Sequence, residues 1–439
     1  SSISVPEGTV ALAFDITLEG IKDQSQISDG DEMEVTITGL PKGLIGVYIF
    51  FDDNGTMVDM GATYDPVNGT ATLRTKHFST YILSYNGAIK VYSEEDFGTL
   101  VNNYRPLIKD QTYVLMGDIA VNKILRFNDN VTLDLNGHTI TNNASYWGGL
   151  AQSARVNIID SSDAKGGKII CSNSKYLFQL ARTDLEVTFS DGVIIDAAAS
   201  GAAAFRILTD PYPDAKVSLI VNNAKVTGRL FLGQPYNGTT NVVFNNCEGT
   251  SVNSDVIQSN PYISAAINIV INGGTFARTG DTTILAQNAN EPSCIANKFI
   301  TINGATLTGT IHNKQNIIFK NGAVVNGLLK NDLGFVTAED TVFNGTVQNA
   351  NGTAPLSMTL DGCAINGLLE NNNGGAYVRG TTITGATETT TVVNNGSALT
   401  LDACTITGQV YNASYRPTAV ITYKNNTVVN GATMPDTEE

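Results

Sequence analysis

The sequence predicts an all-β chain, a small antiparallel β-sandwich followed by a parallel β-helix. Three observations predict it. A five-residue phrase recurs down the second half, two Asn-Gly pairs punctuate an alternating N-terminal stretch, and charged residues are only 15% of a Gly-, Asn- and Thr-rich chain.

The phrase is small residue, any residue, bulky apolar residue, any residue, glycine. It reads Ala224-Val226-Gly228, Ala305-Leu307-Gly309, Ala323-Val325-Gly327, Thr341-Phe343-Gly345, Cys363-Ile365-Gly367, Thr381-Ile383-Gly385, Cys404-Ile406-Gly408 and Thr427-Val429-Gly431. The steps between the last seven are 18, 18, 22, 18, 23 and 23 residues by subtraction. Short β-type segments repeating at this period stack as solenoid coils that share one core. In a strand, residues two apart face one side, so the small and bulky residues point into the bore and those between face water. The glycine turns the corner with a φ that other residues reach only at a cost. Alternating stretches upstream, such as Leu356-Met358-Leu360 and Ile300-Ile302, add at least one more strand per coil.

The first 87 residues follow another rule. Alternation over Val10 to Leu18, Met33 to Ile37 and Val47 to Phe51 is followed by Asn54-Gly55 and Asn68-Gly69, pairs that favour tight hairpin turns. This predicts a sandwich over residues 1–87. Asp52, Asp53, Asn54 and Asp59 lack the spacing and terminal Glu of a calcium loop and read as an acidic hairpin tip. Residues 88–130 form the linker, where Ser93-Glu94-Glu95-Asp96 opens a short helix with Phe97, Leu100 and Val101 on its apolar side. Such a helix suits an N-terminal cap, because an open first coil exposes unpaired backbone and apolar bore. The β-helix occupies residues 131–439.

Composition narrows the function classes. At 439 residues two or more units are expected, and the residue content fits neither disorder nor coiled coil. A formal charge of −15 repels a phosphate backbone, so nucleic acid is not an expected partner. No apolar run approaches the ~20 residues of a membrane span, so no membrane insertion is expected. The five cysteines, Cys171, Cys247, Cys294, Cys363 and Cys404, form no C-x-x-C pair, and neither metal nor cofactor is expected. Cys363 and Cys404 share a phrase position two coils apart, ~10 Å at ~4.8 Å per step, too far for a disulfide. They read as buried small apolar residues.

The run Tyr113-Val114-Leu115-Met116-Gly117-Asp118-Ile119, then Val131-Thr132-Leu133-Asp134-Leu135-Asn136-Gly137-His138-Thr139-Ile140, resembles the opening of pectate-lyase-like β-helix regions in Gram-positive surface adhesins. Asn157-Ile158-Ile159-Asp160-Ser161-Ser162 with Gly166-Gly167-Lys168-Ile169 is similar to their second coil, and His77-Phe78-Ser79-Thr80-Tyr81-Ile82-Leu83 resembles the last strand of their Ig-like modules. The matching motifs touch about the first 170 residues. The resemblance implies an Ig-like β-sandwich followed by a capped right-handed single-stranded parallel β-helix, extracellular on a bacterial cell surface. The hand also follows the general rule for parallel crossovers. One fold hosts many functions, so activity is argued from residues.

A polysaccharide lyase or glycoside hydrolase acting on an acidic glycan is the enzymatic alternative. A hydrolase needs converging carboxylates, a lyase a cation and a basic residue. Asp160, Asp163, Asp191 and Asp196 fall in successive early coils, but no galacturonase-type Asn-Thr-Asp, Gly-His-Gly or Arg-Ile-Lys occurs in the coil region. His77, His138 and His312 stand in separate contexts, which supports no histidine dyad. The early coils instead carry Pro211-Tyr212, Pro235-Tyr236 and Pro261-Tyr262 at steps of 24 and 26, one coil each. Stacked on one side, they make an amphipathic strip for sugar rings or a protein; stiffening of the turns is the competing reading. Arg155, Arg182, Arg206 and Arg229 recur at 27, 24 and 23, and on one face they suit carboxylates of an acidic glycan, whereas pairing with Asp184, Glu186 or Asp210 is the structural role. Trp147 is either a sugar platform or a cover for the bore. The expected function is therefore a non-catalytic adhesin-like protein presenting a side face to a glycan or protein receptor, with a purely structural spacer as a further alternative.

Overall fold

Alternating buried and outward residues can pair in parallel only if the chain returns to the same edge after each circuit, and the computed structural model shows this winding. It describes residues 10–15, 32–38, 46–53, 56–65, 70–75, 80–86, 88–149, 153–190, 192–209, 214–262, 264–278, 283–287, 297–352, 354–385, 388–413 and 417–437. The chain divides into two compact units, Ser1–Ile169 with Ser190–Val193, and Ile170–Phe189 with Ile194–Glu439. Among the described residues no helix is long and apolar enough to cross a membrane.

The first unit opens with two antiparallel sheets. One orders Val10–Asp15, Thr80–Asn86, Gly46–Asp53 and Thr56–Asp59; the other orders Met33–Ile37, Thr70–Thr75 and Thr63–Asp65. Asp53 lies opposite Thr56 and Asp65 opposite Thr70, so both Asn-Gly signals fall between paired strands. The side chains of the acidic cluster at Asp52, Asp53, Asn54 and Asp59 lie outside the described residues.

Parallel pairing follows in the same unit. Ile89–Val91, Thr112–Leu115, Val131–Asp134 and Ser153–Ile159 align in order, as do Ile119–Val121 with Thr139–Asn142. The helix expected from Ser93 is a single 3-10 turn, Glu94–Phe97. Asp96 reaches back to accept the N–H groups of Tyr92 (2.8 Å) and Ser93 (2.9 Å), while Gly98, with φ 114°, ends the turn. Only Phe97 of the expected apolar side is buried; Leu100 and Val101 are exposed, because the chain leaves the turn before their circuit closes.

In the second unit three parallel sheets run side by side. Asn316–Lys320, Val324–Asn326 and Leu329–Asn331 make one circuit, and Phe335–Glu339, Val342–Phe343 and Val347–Asn349 the next. Ile317 pairs with Val336, Val325 with Phe343 and Leu329 with Val347, so each strand bonds to the third one after it. This all-β, parallel pattern fits a β-helix built from the sequence repeat. We call the sheets first, second and third in the order these three strands give.

The phrase does in the second unit what its pleat requires. Ala305 and Leu307, Thr341 and Phe343, Cys363 and Ile365, and Cys404 and Ile406 are all at most 2% exposed. A buried hydroxyl needs a partner. Thr341 Oγ1 donates to Glu339 O (2.9 Å) and Thr381 Oγ1 to Arg379 O (2.9 Å), two residues back. Cys363 Sγ takes the same bond, weakly, to Asp361 O (3.4 Å), which explains why Cys and Thr interchange here. Burial pushes the thiols of Cys247 and Cys363 up to about 11 and that of Cys171 up to about 12. The thiolate is the reactive form. Peptide mapping after treatment of the folded chain with a thiol reagent at neutral pH is therefore expected to find Cys171, Cys247, Cys363 and Cys404 unmodified, and modified only after denaturation. Cys294 lies outside the described residues.

The corner glycines serve a reason that the phrase hides. Gly309, Gly327 and Gly408 have φ of 135°, 149° and 124°, but Gly345 and Gly367 do not share the left-handed region. What they share is crowding between coils. A Cβ on Gly327 would lie 2.4 Å from Gly309 O, one on Gly345 2.3 Å from Gly327 O, and one on Gly367 2.4 Å from Gly345 O. Backbone packs on backbone along this corner.

Asparagines add a second ordering device. Asn313, Asn331, Asn349, Asn371 and Asn394 are fully buried, each donating through Nδ2 to the Oδ1 of the next, at 2.8, 3.0, 3.0, 2.9 and finally 2.9 Å to Asn412. Asn331 and Asn349 also donate to backbone carbonyls of Ser357 and Gly375, which satisfies the remaining amide hydrogen. On the outer side of the first sheet a separate row runs Asn222, Asn245, Asn272 and Asn303, with each Nδ2 bonded to the preceding Oδ1 at 2.8–3.0 Å.

Candidate binding surface

Two of the Pro-Tyr turns stack as their spacing predicts. Thr209 Oγ1 accepts the N–H groups of Tyr236 (3.0 Å) and Asn237 (3.2 Å) and donates to Asn237 O (3.0 Å), which fixes the first turn. Tyr262 N–H donates to Pro235 O (3.0 Å), and Ser264 Oγ lies 2.7 Å from both Tyr236 O and Asn237 Oδ1 and donates its one hydrogen between them, which ties the second turn to the first. The rings lie 3.8 Å apart at 17°, and the Tyr262 hydroxyl donates to that of Tyr236 (3.0 Å). One face of each ring is therefore spent on the other. Tyr262, 49% exposed, presents the accessible body of the pair. Tyr212 lies outside the described residues.

The arginines do not form one row. Arg155 belongs to the first unit, where it grips Asp129 through Nε and Nη2 at 3.1 Å each; the guanidinium's hydrogen bond holds the Asp129 carboxyl below the usual range. In the second unit Arg182 follows the strand Tyr176–Leu180 and is exposed. Arg206 lies opposite Gln179 and Leu232, whereas Arg229 precedes Phe231, which pairs with Phe205. The varying loop lengths that change the step from 27 to 23 also shift the register, so Arg182, Arg206 and Arg229 occupy different columns.

Arg206 is held by groups that the spacing did not single out. Its guanidinium carbon sits 4.6 Å from the centre of the Tyr176 ring, and Nη1 and Nη2 donate to Gln179 Oε1 and Gln234 Oε1, both at 3.1 Å. Burial drags the Arg229 guanidinium below its ordinary pKa, opposed by Asp255 and Tyr176 and reinforced by Arg278. These arginines are integrated into the wall rather than extended from it.

Trp147, in the first unit, is fully buried with its ring 5.8 Å from Phe127, an arrangement that covers the interior and leaves no face for a sugar. Asp160, also in the first unit, is 2% exposed. Burial opposes its ionisation, but the Ser162 hydroxyl and the N–H groups of Gly167, Ser162 and Gly137 outweigh burial and hold its carboxyl below the usual range. Asp163 is exposed, Asp196 in the second unit accepts the Ala198 N–H (3.2 Å), and Asp191 lies outside the described residues, as does His77. His138 Nδ1 lies 3.5 Å from Asp118 Oδ1. Among the described residues no group of three His, Cys, Asp or Glu side chains is placed to hold a metal ion. Comparison with protein-family models, curated proteins and solved structures finds no match to this chain.

Proposed function

We propose that the chain is a non-catalytic, adhesin-like module displayed on a Gram-positive bacterial surface, offering the side of its parallel sheets to a glycan or protein receptor. The Tyr236–Tyr262 stack carries this reading: an aromatic pair, cross-braced through Thr209 and Ser264, is held rigid at the surface with one ring half exposed. Rigid aromatics give contact area at small entropic cost. The engagement of Asp160 with backbone and Ser162 supports binding over cleavage, since a carboxylate held ionised by four donors is a poor general acid. In this reading residues 1–87 are an Ig-like sandwich, the Glu94–Phe97 turn caps the first coil, and the coils wind right-handed.

A glycan array probed with the full chain, with calcium and with chelator, tests it when each hit is checked for product release by mass spectrometry. Retention of a glycan without release, weakened in Tyr236→Ala and Tyr262→Ala, is the expected result. Cleavage of a retained glycan overturns it.

A further inference from the structure

Between Glu186 at one end and Lys320 and Glu339 at the other, the outer side of the first sheet in the second unit carries an uncharged stretch, in a chain of formal charge −15. Parallel register places Ile220, Val243, Val270, Thr301, Ile318 and Thr337 in one column, each half-buried or exposed. On one flank lies the amide row from Asn222 to Asn303. On the other, Asn241, Asn268, Phe299, Asn316 and Phe335 align strand by strand. Phe299 and Phe335 are 40% and 41% exposed, large apolar rings standing on a sheet face where solubility favours polar residues. One strand separates them, so they stand ~9.6 Å apart at ~4.8 Å per strand.

We propose that this face binds an uncharged polysaccharide chain lying along the stacking direction of the strands, which deepens the binding function above by naming a ligand class and a second surface. Each feature suits that ligand. The uncharged centre of the face, with Glu186, Lys320 and Glu339 only at its borders, offers an ionic partner no row of counter-charges and spares a neutral one the desolvation of ions. The phenyl rings present flat apolar faces to the C–H sides of alternate sugar rings. Each Asn of the inner positions of the row uses one N–H and one oxygen lone pair on its neighbours, leaving one of each, repeated every ~4.8 Å, for hydroxyl groups. The central column is mostly β-branched, with few rotamers to lose on contact. A second copy of the chain fits less well, because stable dimers cover a broad apolar core, whereas here one column of apolar and Thr side chains lies between amide rows.

The test is retention of the full chain by insoluble cellulose and chitin and its retardation in gels containing soluble β-glucan, galactomannan or, for comparison, pectin and heparin. The expected result is retention by at least one uncharged polymer, unchanged by added salt, and weakened about tenfold or more in the Phe299→Ala/Phe335→Ala double variant. Tyr411→Ala, which removes an exposed ring from the third sheet and away from both surfaces, leaves that retention unchanged. Matching melting curves for variant and parent exclude misfolding, and Phe299→Tyr/Phe335→Tyr, which keeps the rings, restores binding. Preference for the charged polymers, insensitivity to the double variant, or a concentration-dependent dimer that the double variant dissolves each overturns the inference. If glycan or receptor binding persists but depends on Tyr236 and Tyr262 alone, this inference fails while the binding function stands; release of cleavage products sinks that function instead.

Discussion

Gly327→Ala destabilises the second unit by about 3 kcal/mol, the sum of a backbone clash and an unfavourable φ. The methyl group would sit 2.4 Å from Gly309 O, and the φ of 149° adds strain that no side-chain movement relieves. The obstacle is main chain of the neighbouring coil, so relief requires the coils to part, which breaks sheet pairing at that corner. Thermal melting with hydrogen exchange resolved by peptide locates the loss: exchange accelerates in the coils around residues 305–349. Gly117→Ala is the control, because its added methyl meets nothing within 4 Å and its φ is ordinary; it changes stability by less than about 0.5 kcal/mol. Equal effects at the two sites would refute the close-packing account of the corner.

Removal of a buried ladder amide has an effect of similar size from a different cause. Asn349→Ala deletes bonds to Asn371 Oδ1 (3.0 Å) and Gly375 O (3.2 Å), and those that Asn349 Oδ1 accepts from Asn331 (3.0 Å) and Ser357 Oγ (3.0 Å). The partners left behind are at most 3% exposed or backbone, so water cannot replace the lost group, and the cost is about 3 kcal/mol or more. Asn272→Ala, in the outer row, leaves partners within reach of solvent and costs under about 1 kcal/mol. Denaturant titration of both variants decides the matter. A buried amide no costlier than the outer one would show that the inner ladder is a by-product of packing.

Much of the coil architecture was legible because a pleat and a shared bore impose a period. Ala305, Thr341, Cys363 and Cys404 could be placed inside from the phrase alone, and the hairpins from Asn54-Gly55 and Asn68-Gly69. The inner ladder was written equally plainly: Asn313, Asn331, Asn349, Asn371 and Asn412 each stand four residues after a phrase glycine. Its burial was not legible, because Asn is also a turn former and sequence does not distinguish an amide in a turn from one in a bore. The stacked Tyr236 and Tyr262 were accessible from one-coil spacing. The scattered arginines and the aligned Phe299 and Phe335 were not, since which outward residues share a column depends on loop lengths that vary from coil to coil. The 3-10 turn at Glu94 shows the opposite limit: acidic first-turn residues and a Ser announced a start, but Gly98 ended the turn after four residues.

The buried amides also set the kind of error this chain makes while folding. Displacement of a strand by one residue would bring Lys330 to the place of Asn331 inside the bore, a charge with no partner, and is rejected at once. Displacement by a whole circuit meets no such penalty. Asn313, Asn331 and Asn349 recur at intervals of 18 residues, so the amide of Asn313 finds an equivalent acceptor on Asn349 if the circuit between them is left out. The misfolded species to expect is thus a shortened stack with one complete turn of chain looped out, correctly bonded on both sides of the omission.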